Sequence, residues 1–290
     1  MTKLSGMKKI AALFLTLLFS FSMFAVVSQN EKEALIKLYH ATNGGQWKVK
    51  WDLEAAVATW YGVTLQDDQV IAVVLQNNNL IGELPQEILN LVHLQELDLH
   101  KNQLTGTIPL FIGKLKEMKV LNLSFNRLTG TIPSSICGMS KLKDLQLYMN
   151  AITGELPEQI GALKHLETLS LFNNELIGQI PVSLYDIKTL KTLLLNSNKL
   201  SGVLSIEVKN MTSLENLSLF DNKMNGQVPL ELEKLDNLKE MNISYNMFNG
   251  LISRNLAILD TLNMTMLNDK GVAVLLKVRN SQNTAIASDD

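Results

Sequence analysis

LQELDLHKNQLTGTIP (residues 94–109) and LKDLQLYMNAITGELP (142–157) are two copies of one phrase. It recurs every 24 residues, eight times and without insertion or deletion. Asn78, Asn102, Asn126, Asn150, Asn174, Asn198, Asn222 and Asn246 mark the same place in each copy. A fixed period of this length is the mark of stacked identical units, a solenoid. In Leu97-Asp98-Leu99 and Leu145-Gln146-Leu147 the apolar residues alternate, which is the period of a strand buried on one face. Copies stacked about 4.8 Å apart would form a parallel sheet, the whole set reaching roughly 38 Å. One copy cannot cover its own leucines, so each depends on its neighbours.

Where the chain leaves each strand, backbone groups turn inward and need partners. A carboxamide both donates and accepts, so the eight asparagines are read as a structural ladder and not as a ligand site. The glycine four residues on, from Gly82 to Gly250, permits a tight bend. A proline follows in six copies, its fixed φ and missing donor suiting an exposed edge. Ser205 and Ser253 stand in its place in the other two copies, which predicts a looser outer wall there.

This phrase resembles the leucine-rich repeat family, in the 24-residue form typical of plant receptors and of many secreted bacterial proteins. The resemblance covers residues 70 to about 253. It implies an α/β-type solenoid, a right-handed superhelix or horseshoe with a parallel concave β-sheet that binds other molecules. No kinase sequence follows the repeats, which speaks against a complete receptor kinase. Ahead of them, the stretch ALIKLYHATNGGQWKVKW…ATWYGVTL is similar to the N-terminal cap of secreted bacterial leucine-rich repeat proteins. The WYGVT element is also similar to the plant cap, though the flanking cysteine pair of many relatives is missing.

The expected organisation is a signal peptide at 1–28, a small helical cap at 29–69, the solenoid at 70–261, and a degenerate repeat, terminal cap and disordered tail at 262–290. Lys3, Lys8 and Lys9 precede an apolar run from Ile10 to Val27, which reads as a cleaved export signal in preference to a retained membrane anchor. Within the cap, Leu35, Leu38 and Tyr39 can share a helix face, and Trp47, Trp51 and Trp60 read as a lid over the open solenoid end, not as a sugar platform. After Ser253 the pattern decays: Leu262 and Leu267 keep phase, Thr265 takes a core position, and VAVLLKV (272–278) is a candidate terminal strand. The lone Cys137 excludes an intrachain disulfide.

Net charge is −2; residues 1–28 carry three lysines and no acid, so the remainder stands at −5. A mildly acidic chain without a basic run is a poor nucleic-acid partner. His93 and His165 hold one repeat position three copies apart, about 14 Å by strand spacing, so no metal site is expected. No nucleophile, base and orienting acid share convergent positions; neither an enzyme nor a cofactor is expected. Five sequons begin at Asn122, Asn210, Asn216, Asn242 and Asn263, and glycans at Asn122 or Asn242 would obstruct the inner face. Lys143, Glu167, Lys191, Glu215 and Lys239 alternate in sign at one repeat position, a ladder of weak surface pairs.

Two positions after each leucine pair are expected to face outward. They supply the candidate ligand-binding residues His100, Phe125, Tyr148, Met149, Phe172, Asn196, Phe220 and Tyr245, set beside a small polar floor that includes Asn122, Gln146, Thr168 and Ser170. Aromatic rings supply much of the energy of protein interfaces. The expectation is a secreted, cell-surface or periplasmic recognition module that holds a protein or peptide ligand. A glycan is the alternative ligand, and an adhesin or scaffold a third reading. Membrane association would require the N-terminal segment to be retained.

Overall fold

The computed structural model describes residues 27–260, 262, 264–268 and 270–278. The expected leader, apart from its last two residues, and the expected tail from residue 280 lie outside the described residues.

The repeated phrase builds one nine-stranded sheet whose strands follow chain order. These are β1 (Val63–Gln66), β2 (Gln69–Val74), β3 (Glu96–Asp98), β4 (Val120–Asn122), β5 (Asp144–Gln146), β6 (Thr168–Ser170), β7 (Thr192–Leu194), β8 (Asn216–Ser218) and β9 (Glu240–Asn242). β1 and β2 pair antiparallel, and every later pair is parallel. Val73, Leu97, Leu121, Leu145, Leu169, Leu193, Leu217 and Met241 align in one row, and all are buried. Shifting one strand by a residue would turn its leucines to solvent, so burial sets the register.

The outer wall is a stack of short 3₁₀ turns from Gln86–Asn90 to Leu230–Lys234. Short parallel strands run between wall and sheet, as where Ser201–Val203, Lys223–Gln227 and Met247–Asn249 pair in turn. Pro85, Pro133, Pro181 and Pro229 each precede a turn with φ between −73° and −64°. Ser205 and Ser253 do not loosen the wall as expected. Their hydroxyls accept from Glu207 N and Leu256 N at 3.2 Å, so a capping hydrogen bond replaces the fixed φ of proline.

Inside the coil the asparagines form a continuous ladder. Asn174 Nδ2 donates to Leu147 O and Leu171 O at 3.0 Å, and its Oδ1 accepts from Ile152 N at 3.0 Å. Leu147 O is also reached by Asn150, and Leu171 O by Asn198, so each carbonyl is shared by two successive carboxamides. At the first rung Asn78 turns to the preceding segment, bonding Val49 N at 2.8 Å and Val49 O at 3.1 Å.

Helix α1 (Gln29–Ala41) is N-capped by Ser28 and buries Leu35 and Leu38. Its Glu31 carboxylate accepts from Val70 N at 3.1 Å, joining the helix to β2. Trp47, Trp51 and Trp60 are buried in contact with Tyr39 or one another. Their indole N–H groups donate to the carbonyls of Thr42, Tyr61 and Asp52, leaving no open aromatic platform.

At the other end Asp260 is buried and closes the sheet. It accepts from Ile243 N at 2.9 Å, Leu262 N at 2.8 Å and Ser244 Oγ at 3.2 Å. Beyond it the core positions belong to Met264 and Met266, while Leu262 is exposed and Thr265 half-buried, contrary to the phase read from sequence. The 272–278 stretch forms two short strands: Ala273–Leu275 lies antiparallel to Thr265–Leu267, and Lys277–Val278 runs parallel to Leu251–Ile252.

Candidate ligand-binding face

A feature hidden in the sequence shapes this face. The residue before each ladder asparagine, from Asn77 to Tyr245, lies in the left-handed region with φ between 52° and 58°. Its N–H still reaches the next coil, as Phe125 N does Tyr148 O at 2.9 Å, while the following carboxamide holds the turn. That conformation costs an ordinary L-residue about 1–2 kcal/mol, and asparagine or aspartate least. Asn77, Asn173 and Asp221 suit it; Phe125, Met149 and Tyr245 do not.

The candidate aromatics divide into two groups. Phe125 and Tyr148 meet edge to face at 5.4 Å, and Tyr148 stacks on Phe172 at 4.4 Å with an interplanar angle of 12°. Phe220 and Tyr245 form a second pair at 5.3 Å. Half-buried Asn196 stands on the coil between the groups, and half-buried Met149 follows Tyr148. Phe125 and Tyr245 remain 43% and 40% exposed. His100 is already engaged, its Nδ1 2.8 Å from Asp98 Oδ1.

Two supposedly outward positions are closed. Ser124 and Ser244 are fully buried, their hydroxyls donating to Asn122 Oδ1 at 2.7 Å and Asp260 Oδ1 at 3.2 Å. Asn122 is itself 8% exposed, so the folded chain offers that sequon poorly to glycosylation. Asn263 lies outside the described residues.

The edge ladder carries pairs Lys143–Glu167 at 3.5 Å, Lys191–Glu167 at 2.7 Å and Lys239–Glu215 at 2.5 Å. The hydrogen bond from Lys191 holds the Glu167 carboxyl below its ordinary pKa, and that from Lys239 does the same for Glu215. The lysines are exposed and the glutamates half-buried at the surface, so each pair is individually weak. Asp144 is different: burial pushes its carboxyl above the ordinary value, opposed by the Gln146 hydrogen bond and reinforced by the charge of Asp98. Sequence reading passed over Asp144. Its signal is an acid at a position occupied by Val120 and Thr168 in the adjoining copies. Cys137 sits half-buried in the outer wall, where burial raises its thiol pKa away from the reactive thiolate.

A cleft of about 510 Å³ lies at the N-terminal end, lined by Ser28, Glu31, Asp67, Asp68 and His93 among others, away from the rings. A smaller one of about 220 Å³ lies on the inner sheet between Leu194 and Asn242. Among the described residues no three His, Cys, Asp or Glu side chains gather to hold a metal ion, and no helix is long and apolar enough to cross a membrane.

Coils in register around an asparagine ladder, with side chains displayed on an inner parallel sheet, define a repeat solenoid. A leucine-rich repeat region model matches residues 119–264, and a two-copy leucine-rich repeat model matches residues 92–136. The chain belongs to the leucine-rich repeat family. It is 33% identical over 93 residues to the leucine-rich repeat receptor protein kinase EMS1 of Arabidopsis thaliana, a match covering 31% of this chain and only 8% of that protein. Among solved structures it is similar to PEPR1–AtPEP1, with TM-score 0.70 and 27% identity over 87% of this chain and 42% of that one. It is also similar to the plant peptide hormone receptor RGFR1 in complex with RGF2, with TM-score 0.53 and 32% identity over 69% of this chain and 35% of that one. The chain thus spans less than half the length of each of these relatives.

Proposed function

We propose that this protein is a non-catalytic, extracellular recognition module that holds a peptide or protein ligand across its concave sheet. The carrying observation is the run Phe125–Tyr148–Phe172, in which the central Tyr148 ring touches both others on the inner face. Interface energy concentrates in such anchors. Phe125 keeps its ring at a left-handed position where asparagine costs less, which supports a use for the ring beyond folding. Phe220, Tyr245, Met149 and Asn196 extend the surface, while His100, held by Asp98, contributes at its margin.

The relatives add support: RGFR1 is a peptide hormone receptor solved with RGF2 bound. Extracellular placement rests on the leader read at 1–28 and on the receptor relatives. Residues 29–69 serve as the cap, 70–261 as the recognition solenoid and 262–290 as the closing unit. Capture from the native extracellular fraction tests this. The wild-type chain retains a partner, and Tyr148→Ala/Phe172→Ala loses it with little change in thermal unfolding. Equal capture by both proteins would refute the assignment of the face.

A further inference from the structure

The two halves of the concave face differ in what their polar side chains hold. On the coils of β3, β4 and β5 they answer one another: His100 Nδ1 lies 2.8 Å from Asp98 Oδ1, Ser124 Oγ donates to Asn122 Oδ1 at 2.7 Å, and Gln146 Nε2 donates to Asp144 Oδ2 at 2.8 Å. On β8 and β9, half-buried Asn216 and Ser218 and exposed Glu240 are open to solvent. Their side chains make no hydrogen bond or ion pair among the described residues, and Lys239 next to Glu240 is bonded to Glu215 instead.

These three side chains line the inner-sheet cleft of about 220 Å³ together with Leu194 and Asn242. The register sets Asn216 beside Glu240, and Leu194, Ser218 and Asn242 in one row across β7, β8 and β9. Neighbouring strands stand about 4.8 Å apart, so one side chain can reach all of them. Leu194 is the only apolar member of that row between Asp98 and Asn242. Phe220 stands two residues beyond Ser218, about 7 Å along the chain, and pairs with Tyr245, which is 40% exposed.

The cleft thus offers an entering side chain one apolar side and, beside it, a carboxylate flanked by an amide and a hydroxyl. Lysine and arginine match that division, laying their methylenes on apolar surface while the charged head stays among polar atoms. Glu240 is the only charged residue lining the cleft, so a cation there gains a charge-assisted hydrogen bond against no competitor. An acidic side chain would meet like charge, and an aliphatic one would cover Asn216 and Ser218 without partners. We propose that the ligand is a basic peptide whose lysine or arginine enters this cleft, its charge on Glu240 and its remaining hydrogen bonds on Asn216 and Ser218. An apolar neighbour in the same peptide lies against Phe220 and Tyr245. This rests on the recognition reading above and adds the chemical class of its ligand. Phe172 and Phe220 are two coils apart, about 10 Å, so one short peptide can touch the cleft and the first group of rings together.

Selection of a random linear peptide library on the immobilised full chain tests the proposal, comparing wild type, Glu240→Gln, Glu96→Gln and Tyr148→Ala/Phe172→Ala. Glu96 holds the same repeat position on β3 but lines no part of the cleft, and thermal melts verify the fold of each variant. Wild type should enrich peptides that carry a lysine or arginine beside an apolar residue. Their affinity should fall by about tenfold or more in Glu240→Gln, the scale of one charged hydrogen bond, and stay unchanged in Glu96→Gln. Peptides that need the Tyr148 and Phe172 rings but bind Glu240→Gln as well as wild type would overturn the proposal and leave the recognition reading standing. Equal losses in Glu240→Gln and Glu96→Gln would also overturn it, since they mean diffuse charge attraction. On a glycan array, a neutral oligosaccharide held equally by wild type and Glu240→Gln, with no basic peptide selected, would do the same. Recovery of no peptide that needs either the rings or Glu240 would overturn both readings.

Discussion

Replacing Asn174 with alanine removes one rung of the ladder at mid-solenoid, and the cost can be worked out bond by bond. Ile152 N loses its acceptor at 3.0 Å and is left buried without a partner, a loss of about 1–3 kcal/mol. Leu147 O and Leu171 O each lose one donor at 3.0 Å but keep another from Asn150 or Asn198, so each costs about 0.5–1.5 kcal/mol. The sum is about 2–6 kcal/mol, a large share of the stability of an ordinary domain. Asn173→Ala next door is the control: that residue is exposed at φ 55°, so only its left-handed preference is at stake, at most about 1–2 kcal/mol. Urea unfolding followed by circular dichroism measures both. A loss for Asn174→Ala no larger than that for Asn173→Ala would refute the shared-carbonyl ladder as the source of coil cohesion.

Other expected outcomes follow from the two ends and the inner face. Asp260→Ala strips the last coil of a buried acceptor and should cost about 2–4 kcal/mol, with faster hydrogen exchange near Ile243 and unchanged exchange near β3. Asp144→Asn should gain stability relative to wild type as pH rises. The folded-state pKa of Asp144 is raised, so its penalty is absent below the unfolded value of about 3.9 and grows as pH rises through the folded value. Melting temperatures of the two proteins compared at acid and neutral pH check the sign, and a constant difference would contradict it. Phe125→Asn relieves a left-handed backbone but forfeits the edge contact with Tyr148. Stability should stay within about 1 kcal/mol while partner capture falls.

Much of the coil was legible because leucine spacing and burial are one fact: a period of two fixes the inward row, and a period of 24 fixes which residues stack. The ladder was legible for the same reason, since a carboxamide at every turn has few other uses. What escaped reading depended on backbone conformation or on single partners. Nothing in the residue types announces a left-handed turn at Phe125 or Tyr245, because the turn is imposed by neighbouring coils. Ser124 and Ser244 looked exposed by position yet fold inward onto Asn122 and Asp260, one-off contacts that no repeat average shows. The break between Phe172 and Phe220 was written in Asn196, but ring contacts showed that it splits the aromatics into two groups. At the end of the solenoid Met264 and Met266 displaced the expected leucines because the closing strand is held by Asp260 and not by another ladder asparagine.

The most direct test of recognition by the inner sheet is site-specific photocrosslinking from its two faces. A benzophenone side chain placed at Phe172 on the inner face, and separately at Val182 on the outer wall where the native residue is 65% exposed, is irradiated in the native extracellular fraction. Covalent capture from position 172 with silence from 182 is the expected result; capture from 182 alone would contradict binding on the concave sheet.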